Sequence, residues 1–464
     1  MNMTTRRIFL KSSLALPCGA LATQLNAQTA QLTGQTGSKS DTDTISIGRK
    51  IPVRYHADVV VIGGGIAGVS AACAAATSGA SVILVERFGE TGGMLTTGGV
   101  ANFCGQIEEQ GEVFDEILSG LKRFKALEED RPVFHYEMLA LVLQEMLLKR
   151  GVKLLLHTPL VEVIVKNRTI SECIICGKSG MEAIRGKIFI DCSGDADVAR
   201  FAGFATMKGD AAGRQLPMSQ MSFVREIDPQ NVCVQTPEDF YTPVKNETDL
   251  PMTSIWPDGP GGKALKIKIP MFDATSTESL TQAEITARRR MMEVLYYYQA
   301  IEKKNWRFTN WSPIIGIREG CRIVGDYVLT VDDLRAGKSF DDGVARGTFY
   351  LDGHDPTNDK RTYILPKDQL HVPPYQIPMR SLIAKDADNL FMAGRCFSAD
   401  QLALSSARVS TSGSMMGQAA GIAAAMAVRK KCNIRALDYS DVRMEVLHRG
   451  AQLDVSVQRH QIFG

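Results

Sequence analysis

The sequence lacks any strong charge imbalance. Its 464 residues include 53 Lys and Arg against 51 Asp and Glu, which leaves a formal net charge of +2. It also lacks a basic stripe interleaved with aromatic side chains, so nothing favours nucleic acid or a polyanionic surface as the main partner. A chain that is 44% hydrophobic and 22% charged has the composition of a globular protein. A small-molecule partner is therefore expected.

The ten cysteines lack the pattern of a disulfide framework or a metal site. Only Cys173 and Cys176 are closely spaced, in "TISECIICGKSG", and the alternation of this segment predicts a strand that points the two thiols to opposite faces. No second Cys/His pair follows at zinc-finger spacing, so no metal is predicted. Most cysteines are interpreted as buried free thiols, and a redox or zinc role for Cys173 and Cys176 is the lesser alternative.

No apolar run after the N-terminal segment is long enough to span a bilayer. The most apolar of them, residues 413–428, is rich in Ala and Gly and predicts a buried helix. No internal repeat is present either.

The N-terminus has the features of an export signal. Arg6 and Arg7 are followed by Phe-Leu-Lys and by an apolar, small-residue run, which is typical of a twin-arginine signal peptide over residues 1–27. Residues 28–54, rich in Thr, Ser, Gln and Gly, predict a flexible linker. A periplasmic or secreted protein that folds before export is predicted, and a disordered basic N-terminus of a cytoplasmic protein is the alternative.

One segment, "DVVVIGGGIAGVSAACAAATSGASVILVER" (residues 58–87), predicts a strand, a glycine turn, a helix of small residues and a second parallel strand. Gly63 permits the tight turn, Gly65 lets the backbone approach a pyrophosphate, and Gly68 lets helix and strand pack closely. The N–H groups at the start of the helix are free to bind the anion. Glu86 ends the second strand, where it can accept a ribose hydroxyl. The segment therefore predicts a dinucleotide site.

The next residues, "RFGETGGM", lead directly into a second glycine pair. Here the sequence resembles the FAD-dependent oxidoreductases with two dinucleotide-binding domains. The resemblance implies that Gly92 and Gly93 pass close to FAD and that Arg87 and Met94 flank it.

Two later segments extend this resemblance. "KIFIDCSGDADVARFAGF" resembles the second cofactor-contacting turn of the family, and "DNLFMAGRCFSADQLALSSARVSTSGSMMGQAAGIAAAMA" resembles its C-terminal strand and glycine-rich helix. A strand that touches the adenine is implied around Val161, and the start of the glycine-rich helix is expected to face the flavin pyrimidine edge. The implied cofactor residues in the two segments are Ser193, Gly194, Asp195, Gly394, Arg395, Gly417 and Gln418.

"SPIIGIREGCRIVGDYVLT" and "YQIPMRSLI" resemble a branch of exported or glycan-associated FAD-dependent oxidoreductases that is distantly related to fumarate reductase flavoproteins. The implied fold is α/β, with a Rossmann-like FAD-binding domain and an inserted mixed α+β substrate domain. The FAD-binding parts are expected at residues 55–205 and 375–464, the latter including a short tail helix, and the substrate domain at residues 206–374. Helical spacing also predicts helices over Tyr136–Lys149 and Leu280–Lys304.

Four residues are candidates for catalysis. His354, flanked by acids in "FYLDGHDPTND", is a candidate base, and a turn histidine is the alternative. The branch leads us to expect a histidine shortly after Gly394-Arg395, but Asp400 stands there and becomes a possible substitute. Arg318 either binds an anionic substrate or donates a proton, or else pairs with Glu319 at a domain interface. Arg380 is the second candidate clamp for a carboxylate.

The predicted function is hydride transfer between a small polar substrate, such as a sugar or a hydroxy acid, and flavin N5. The electron acceptor is not identified by the sequence. One alternative is the reduction of an activated double bond, as in fumarate reductases. The other is a flavin fold without turnover that serves as a glycan-binding or accessory protein.

Overall fold

The fold is described from a computed structural model, which covers residues 45–457 except 130, 229, 231–233, 238, 240–243 and 260. Residues 51–464 form one compact unit, separate from residues 1–50. In the separate unit, residues 45–50 are exposed and without regular secondary structure. The predicted signal peptide lies outside the described residues.

The regular elements alternate between strands and helices along the chain. The strands are β1 (Val53–Ile62), β2 (Val82–Val85), β3 (Lys153–Leu155), β4 (Leu160–Lys166), β5 (Thr169–Gly177), β6 (Gly180–Asp191), β7 (Thr206–Lys208), β8 (Met218–Glu226), β9 (Thr253–Pro257), β10 (Gly262–Ile269), β11 (Trp306–Trp311), β12 (Cys321–Ile323), β13 (Gly343–Gly347), β14 (Tyr375–Pro378) and β15 (Leu390–Met392). The helices are α1 (Ile66–Thr77), α2 (Glu112–Arg123), α3 (Tyr136–Lys149), α4 (Asp197–Phe201), α5 (Thr277–Tyr296), α6 (Val331–Arg335), α7 (Gln401–Ala407), α8 (Ser410–Lys430) and α9 (Tyr439–His448).

The larger sheet has seven strands in the order β3-β2-β1-β6-β5-β4, and β15 pairs with the end of β6. β3, β2, β1, β6 and β15 are parallel, whereas β5 and β4 are antiparallel to their neighbours. Alternate residues of β1 belong to different hydrophobic clusters: Val59 and Val61 to one, Val60 and Ile62 to the other. Both faces of the strand are therefore covered, which explains the unbroken apolar run in the sequence.

Helix α1 packs against α8 with almost no side chain between them. A Cβ atom on Gly417 would lie 2.1 Å from the carbonyl oxygen of Ala67, and one on Gly421 would lie 2.2 Å from that of Ala71. Ser70 Oγ and Ser414 Oγ hydrogen bond across the contact at 2.8 Å. The small residues of both helices are thus needed for this close approach.

The second sheet is antiparallel, in the order β11-β8-β10-β9. Leu265 and Ile267 of β10 pack with Ala287 and Met291 of α5 in one hydrophobic cluster. The residues between them on β10 point to the opposite face of the sheet, because strand side chains alternate. That face meets the site described below.

The two ends of the chain share the larger sheet, because β15 pairs with β6. Part of the central region also packs with them: Leu329, Val344 and Leu351 belong to the hydrophobic cluster that contains Val59. The α/β fold class is confirmed. The domain boundaries at 205/206 and 374/375 stay predictions.

Several local predictions match the structure. Helix α3 has the predicted bounds, the Cys173 segment is strand β5, and the tail contains helix α9. The second predicted helix begins earlier than expected, at Thr277, because the hydroxyl of Ser276 accepts a hydrogen bond from the amide of Ser279. Within the described residues, no helix is both long and apolar enough to cross a membrane.

Gly417→Ala should destabilise the protein by at least about 1–3 kcal/mol, because the added methyl group meets backbone that cannot move freely. Gly413→Ala, in the same helix, is the matched control: its Cβ would lie no nearer than 3.6 Å to any atom. This control should leave stability unchanged or raise it by about 0.5–1 kcal/mol. Urea unfolding of both variants without added cofactor measures the difference. Equal stability of the two variants would contradict the packing described for α1 and α8.

Candidate functional site

A cavity of about 600 Å³ lies where the carboxyl ends of four parallel strands meet. Its lining includes Gly63 and Gly65 after β1, Glu86 after β2, Ser193 after β6 and Gly394 after β15. Ligands of open α/β sheets bind at this edge. The predicted motifs, scattered along the sequence, are therefore brought to one place.

The first glycine turn forms a cradle open to the cavity. Gly63 has φ +100°, and a Cβ there would lie 2.3 Å from the carbonyl oxygen of Cys192. A Cβ on Gly68 would lie 1.9 Å from the carbonyl oxygen of Gly63, so Gly68 serves packing and does not line the cavity. Around Gly65, in contrast, nothing lies within 4 Å of a Cβ position. Helix α1 begins there without a side-chain cap, which leaves its first N–H groups able to bind a phosphate.

Glu86 is oriented by backbone amides and is only 5% exposed. Its carboxylate accepts hydrogen bonds from the amides of Gly64, at 2.6 Å, and Phe88, at 2.8 Å. Each carboxylate oxygen can accept a further hydrogen bond, so Glu86 can still bind a ribose hydroxyl.

The second glycine pair lies directly beside the first turn. The amide of Gly92 donates to the carbonyl oxygen of Gly64 at 2.7 Å, and a Cβ on Gly93 would lie 3.1 Å from Cα of Gly65. Arg87 and Met94 also line the cavity. The two glycine motifs therefore form one wall.

An ion pair joins the other two predicted turns. Arg395 bonds to the carboxylate of Asp195 at 2.7 Å, and both residues line the cavity. Gly194 has φ +84°, and a Cβ there would lie 2.4 Å from the guanidinium of Arg395. Only glycine at this position allows the arginine to cross the turn.

Three predicted cofactor residues do not line the cavity. Val161 lies one residue beyond Leu160, which does line it. Gly417 packs against Ala67, as described above, and the side chain of Gln418 accepts a hydrogen bond from the amide of Val113 at 3.2 Å. Helix α8 begins at Ser410, more than a turn before Gly417, so its first residues line the cavity in their place.

Comparison with known proteins identifies the cofactor class. The sequence profile of the FAD-dependent oxidoreductases matches residues 58–446, most of the chain. The chain belongs to this family. The glycine cradle, the open space at Gly65 and the carboxylate of Glu86 fit the pyrophosphate and ribose of FAD. No curated protein matches the sequence.

Several solved structures are distantly similar. The OxyS anhydrotetracycline hydroxylase of Streptomyces rimosus has 13% identity and a TM-score of 0.44, and the match covers 84% of this chain and 66% of that one. A geranylgeranyl bacteriochlorophyll reductase-like protein of Thermoplasma acidophilum has 14% identity and a TM-score of 0.43, over 85% and 83% of the two chains. A flavoprotein/dehydrogenase of Cytophaga hutchinsonii has 13% identity and a TM-score of 0.43, over 84% and 82%. The family assignment rests on the profile match.

The part of the cavity next to the second sheet is cationic. Lys266 from β10 lines it together with Arg318 and Arg408, and we call these three residues the cationic cluster. The carboxylate of Asp352 also lines it and bonds to Arg408 at 2.9 Å. Three positive side chains thus share this space with one carboxylate.

Arg318 is held in place from behind. Its guanidinium donates to the carbonyl oxygen of Pro217 at 2.8 Å and to the hydroxyl of Ser219, and the residue is 7% exposed. Burial lowers the pKa of Arg318 to about 10, which still leaves it charged at neutral pH. The predicted partner of Arg318, Glu319, instead forms a buried ion pair with Arg322 at 2.8 Å.

His354 does not line the cavity but contacts a residue that does. Its Nε2 lies 3.1 Å from the carboxylate of Asp352, and its ring stacks on Tyr363 at 4.6 Å. Burial lowers the pKa of His354, so the ring is neutral at physiological pH. Its hydrogen bond and the charge of Arg408 hold the pKa of Asp352 below its usual range. His354 is therefore placed to orient Asp352 rather than to contact a substrate.

Asp400 and Arg380 lie outside the cavity lining. Asp400 caps α7, where its carboxylate accepts the amide of Ala403 at 2.7 Å. Arg380 pairs with Asp342 through two hydrogen bonds of 2.9 and 3.1 Å. The structure gives both side chains structural partners, and neither reaches the residues that line the cavity.

Lys266 is the site residue that sequence reasoning missed, and Arg408 and Asp352 were noted only as neighbours of other candidates. A signal was present in "KALKIKI", where lysines occupy alternate positions of a strand whose intervening residues are apolar. The face to which they point depends on α5, which is distant in the sequence.

Gly65→Ala should lower FAD content without lowering stability. The added methyl group has φ −65° and open space in the protein, but it occupies the space where a pyrophosphate would lie. Gly65→Asp should remove FAD more completely, because it adds a negative charge, and Glu86→Ala should also weaken binding. The measurement is the flavin absorbance per mole of purified protein. Gly177→Ala, whose Cβ lies 3.6 Å or more from any atom and outside the cavity, is the control. Full flavin content in all three site variants would contradict the assignment.

Proposed function

We propose that this protein oxidises a small carboxylate-bearing alcohol, a hydroxy acid, by hydride transfer to FAD. The observation that carries the proposal is the cationic cluster, in which three positive side chains face one carboxylate. A buried charge without a counter-charge is costly, so such a cavity favours an anionic ligand. A neutral sugar would leave the excess positive charge unbalanced.

FAD, when bound, supplies the two-electron acceptor at its N5 atom. Arg318 is suited to bind the substrate carboxylate, because its guanidinium is already oriented by Pro217 and Ser219. Arg408 is largely committed to Asp352, although its Nε has no partner in the described structure. Arg318 is therefore the main anchor in this proposal.

Reduction of an activated double bond is the second candidate. Burial lowers the pKa of Arg318 to about 10, which makes its guanidinium a better proton donor than an exposed arginine. This candidate predicts that a reduced flavin is reoxidised by unsaturated dicarboxylates without oxygen. A flavin that reacts in neither direction would favour a binding or accessory protein.

We also propose that the protein is exported, on the basis of Arg6, Arg7 and the apolar run that follows. Changing both arginines to lysine should retain the protein in the cytoplasm, when it is expressed in a bacterium that has the twin-arginine pathway. Arg49→Lys, outside the predicted signal, should leave export unchanged. Cell fractionation measures the distribution, and export of the double variant would contradict the proposal.

A hydroxy acid should bleach the flavin absorbance anaerobically, and its primary amide should do so at least about 10-fold less efficiently. A hydrogen bond to a charged group contributes about 1.5–3 kcal/mol, which corresponds to about 10–100-fold in affinity. Arg318→Lys should remove most of this discrimination through KM, because lysine cannot bind a carboxylate through two parallel bonds.

Arg380→Lys is the matched control, since Arg380 pairs with Asp342 outside the cavity. It should keep the preference for the acid over the amide. Equal reduction of the flavin by acid and amide in the unchanged protein would contradict an anionic substrate.

A further inference from the structure

Lys266 points into the cavity because of its position on β10. It pairs directly with Met221 of β8, which also lines the cavity. Its neighbours Leu265 and Ile267 point the other way and pack with α5. Lys266 is therefore fixed at the substrate side of the cavity by the alternation of a strand whose other face is buried.

Lys266 lacks the partner that the other lysines of its strand have. Lys263 approaches the carboxylate of Glu226 at 3.7 Å, and Lys268 donates to the carbonyl oxygen of Lys360 at 3.0 Å. In the described part of the chain, the polar contact recorded for Lys266 is with the ring of Trp256, whose centroid lies 5.7 Å from Nζ. The amine is thus free to act on a ligand.

Four groups face the amine of Lys266: the guanidinium groups of Arg318 and Arg408, the carboxylate of Asp352 and the thiol of Cys104. Burial, assisted by the charge of Arg318, lowers the pKa of Lys266 to about 8. Burial also raises the pKa of Cys104, which stays a neutral thiol.

The other candidate bases around the cavity are less suitable. Asp352 accepts hydrogen bonds from Arg408 and His354, so its negative charge is already stabilised and it is a weak base. The Nε2 of His354 is directed at Asp352. The arginines stay protonated. Among the groups that surround Lys266, its amine alone is both directed at the cavity and able to lose its proton near neutral pH.

We propose that the amine of Lys266 is the proton acceptor for oxidation of the substrate alcohol, an inference that rests on the proposed function. In this step the C–H and O–H bonds of the alcohol carbon break and a C=O bond forms. The hydride carries both electrons to FAD, which is the oxidant, and the hydroxyl proton passes to Nζ of Lys266. The resulting ammonium then releases the proton to solvent.

The test is anaerobic flavin reduction by a hydroxy acid, followed by stopped-flow absorbance over a range of pH. In the unchanged protein, the second-order rate constant should rise about tenfold per pH unit and level off near pH 8, because the neutral amine is the active form. Lys266→Met should reduce the rate by about 10²–10⁴-fold and abolish the rise near pH 8. Lys263→Met, on the same strand but paired with Glu226, is the matched control and should keep both rate and profile.

Two further variants separate proton transfer from electrostatic binding. Lys266→Arg keeps the positive charge but cannot lose its proton, so binding of the keto acid product should persist while the reduction rate falls as in Lys266→Met. Added ethylamine should partly restore the rate of Lys266→Ala, with a pH dependence set by the added amine. A Lys266→Arg variant with an unchanged rate and profile would overturn the inference and leave Lys266 as a binding cation.

A direct titration gives a readout that does not depend on activity. Lysines reductively methylated with ¹³C give resonances that follow each amine, and the resonance that disappears in Lys266→Arg should titrate near pH 8. Titration above pH 10, the usual range of lysine, would overturn the inference. If the unchanged protein is not reduced by any hydroxy acid, the proposed function and this inference both fail. If it is reduced and Lys266→Met is unaffected, this inference alone fails.

Discussion

The close packing of α1 between its glycine turn and α8 is the constraint on which the site depends. Gly68 lets α1 approach the turn at Gly63, and Gly417 lets it approach the backbone of α8. Because α1 is held this closely, its uncapped first turn lies at the strand ends, beside the first turn of α8. The positive ends of two helices then face one cavity, which suits a cofactor that carries phosphates and gains negative charge on reduction.

The second sheet completes the cavity by a different kind of interaction. Its outer face is anchored by apolar packing on α5, which forces Lys266 of the inner face toward the cofactor side. Arg318 adds a second positive charge that is offset only by neutral acceptors, the carbonyl of Pro217 and the hydroxyl of Ser219. Burying these charges opposes folding. Such an arrangement is stabilised when an anion binds, so the cost fits a binding site better than a purely structural cluster.

The cofactor half could be predicted from the sequence because its signals are local. Gly63, Gly65 and Glu86 act through turns and strand ends that a short segment defines, and the structure brings them to one cavity. Gly417 was misread for a physical reason: glycine permits close approach to a ligand or to another helix, and the spacing alone does not distinguish the two. Arg380 and Asp400 were candidates by residue type, but their partners, Asp342 and the amide of Ala403, come into contact only through the fold.

The substrate half could not be predicted because its chemistry depends on contacts between distant segments. Lysine in a strand usually lies in solvent. Here the pairing of β10 with β8 and its packing on α5 turn Lys266 inward, and Arg318 then lowers its pKa. The same burial leaves Arg318 protonated, because guanidinium starts from a much higher pKa than an amine. Two like charges in one cavity can therefore take different roles: the arginine stays a fixed counter-charge, and the lysine becomes the group that exchanges a proton.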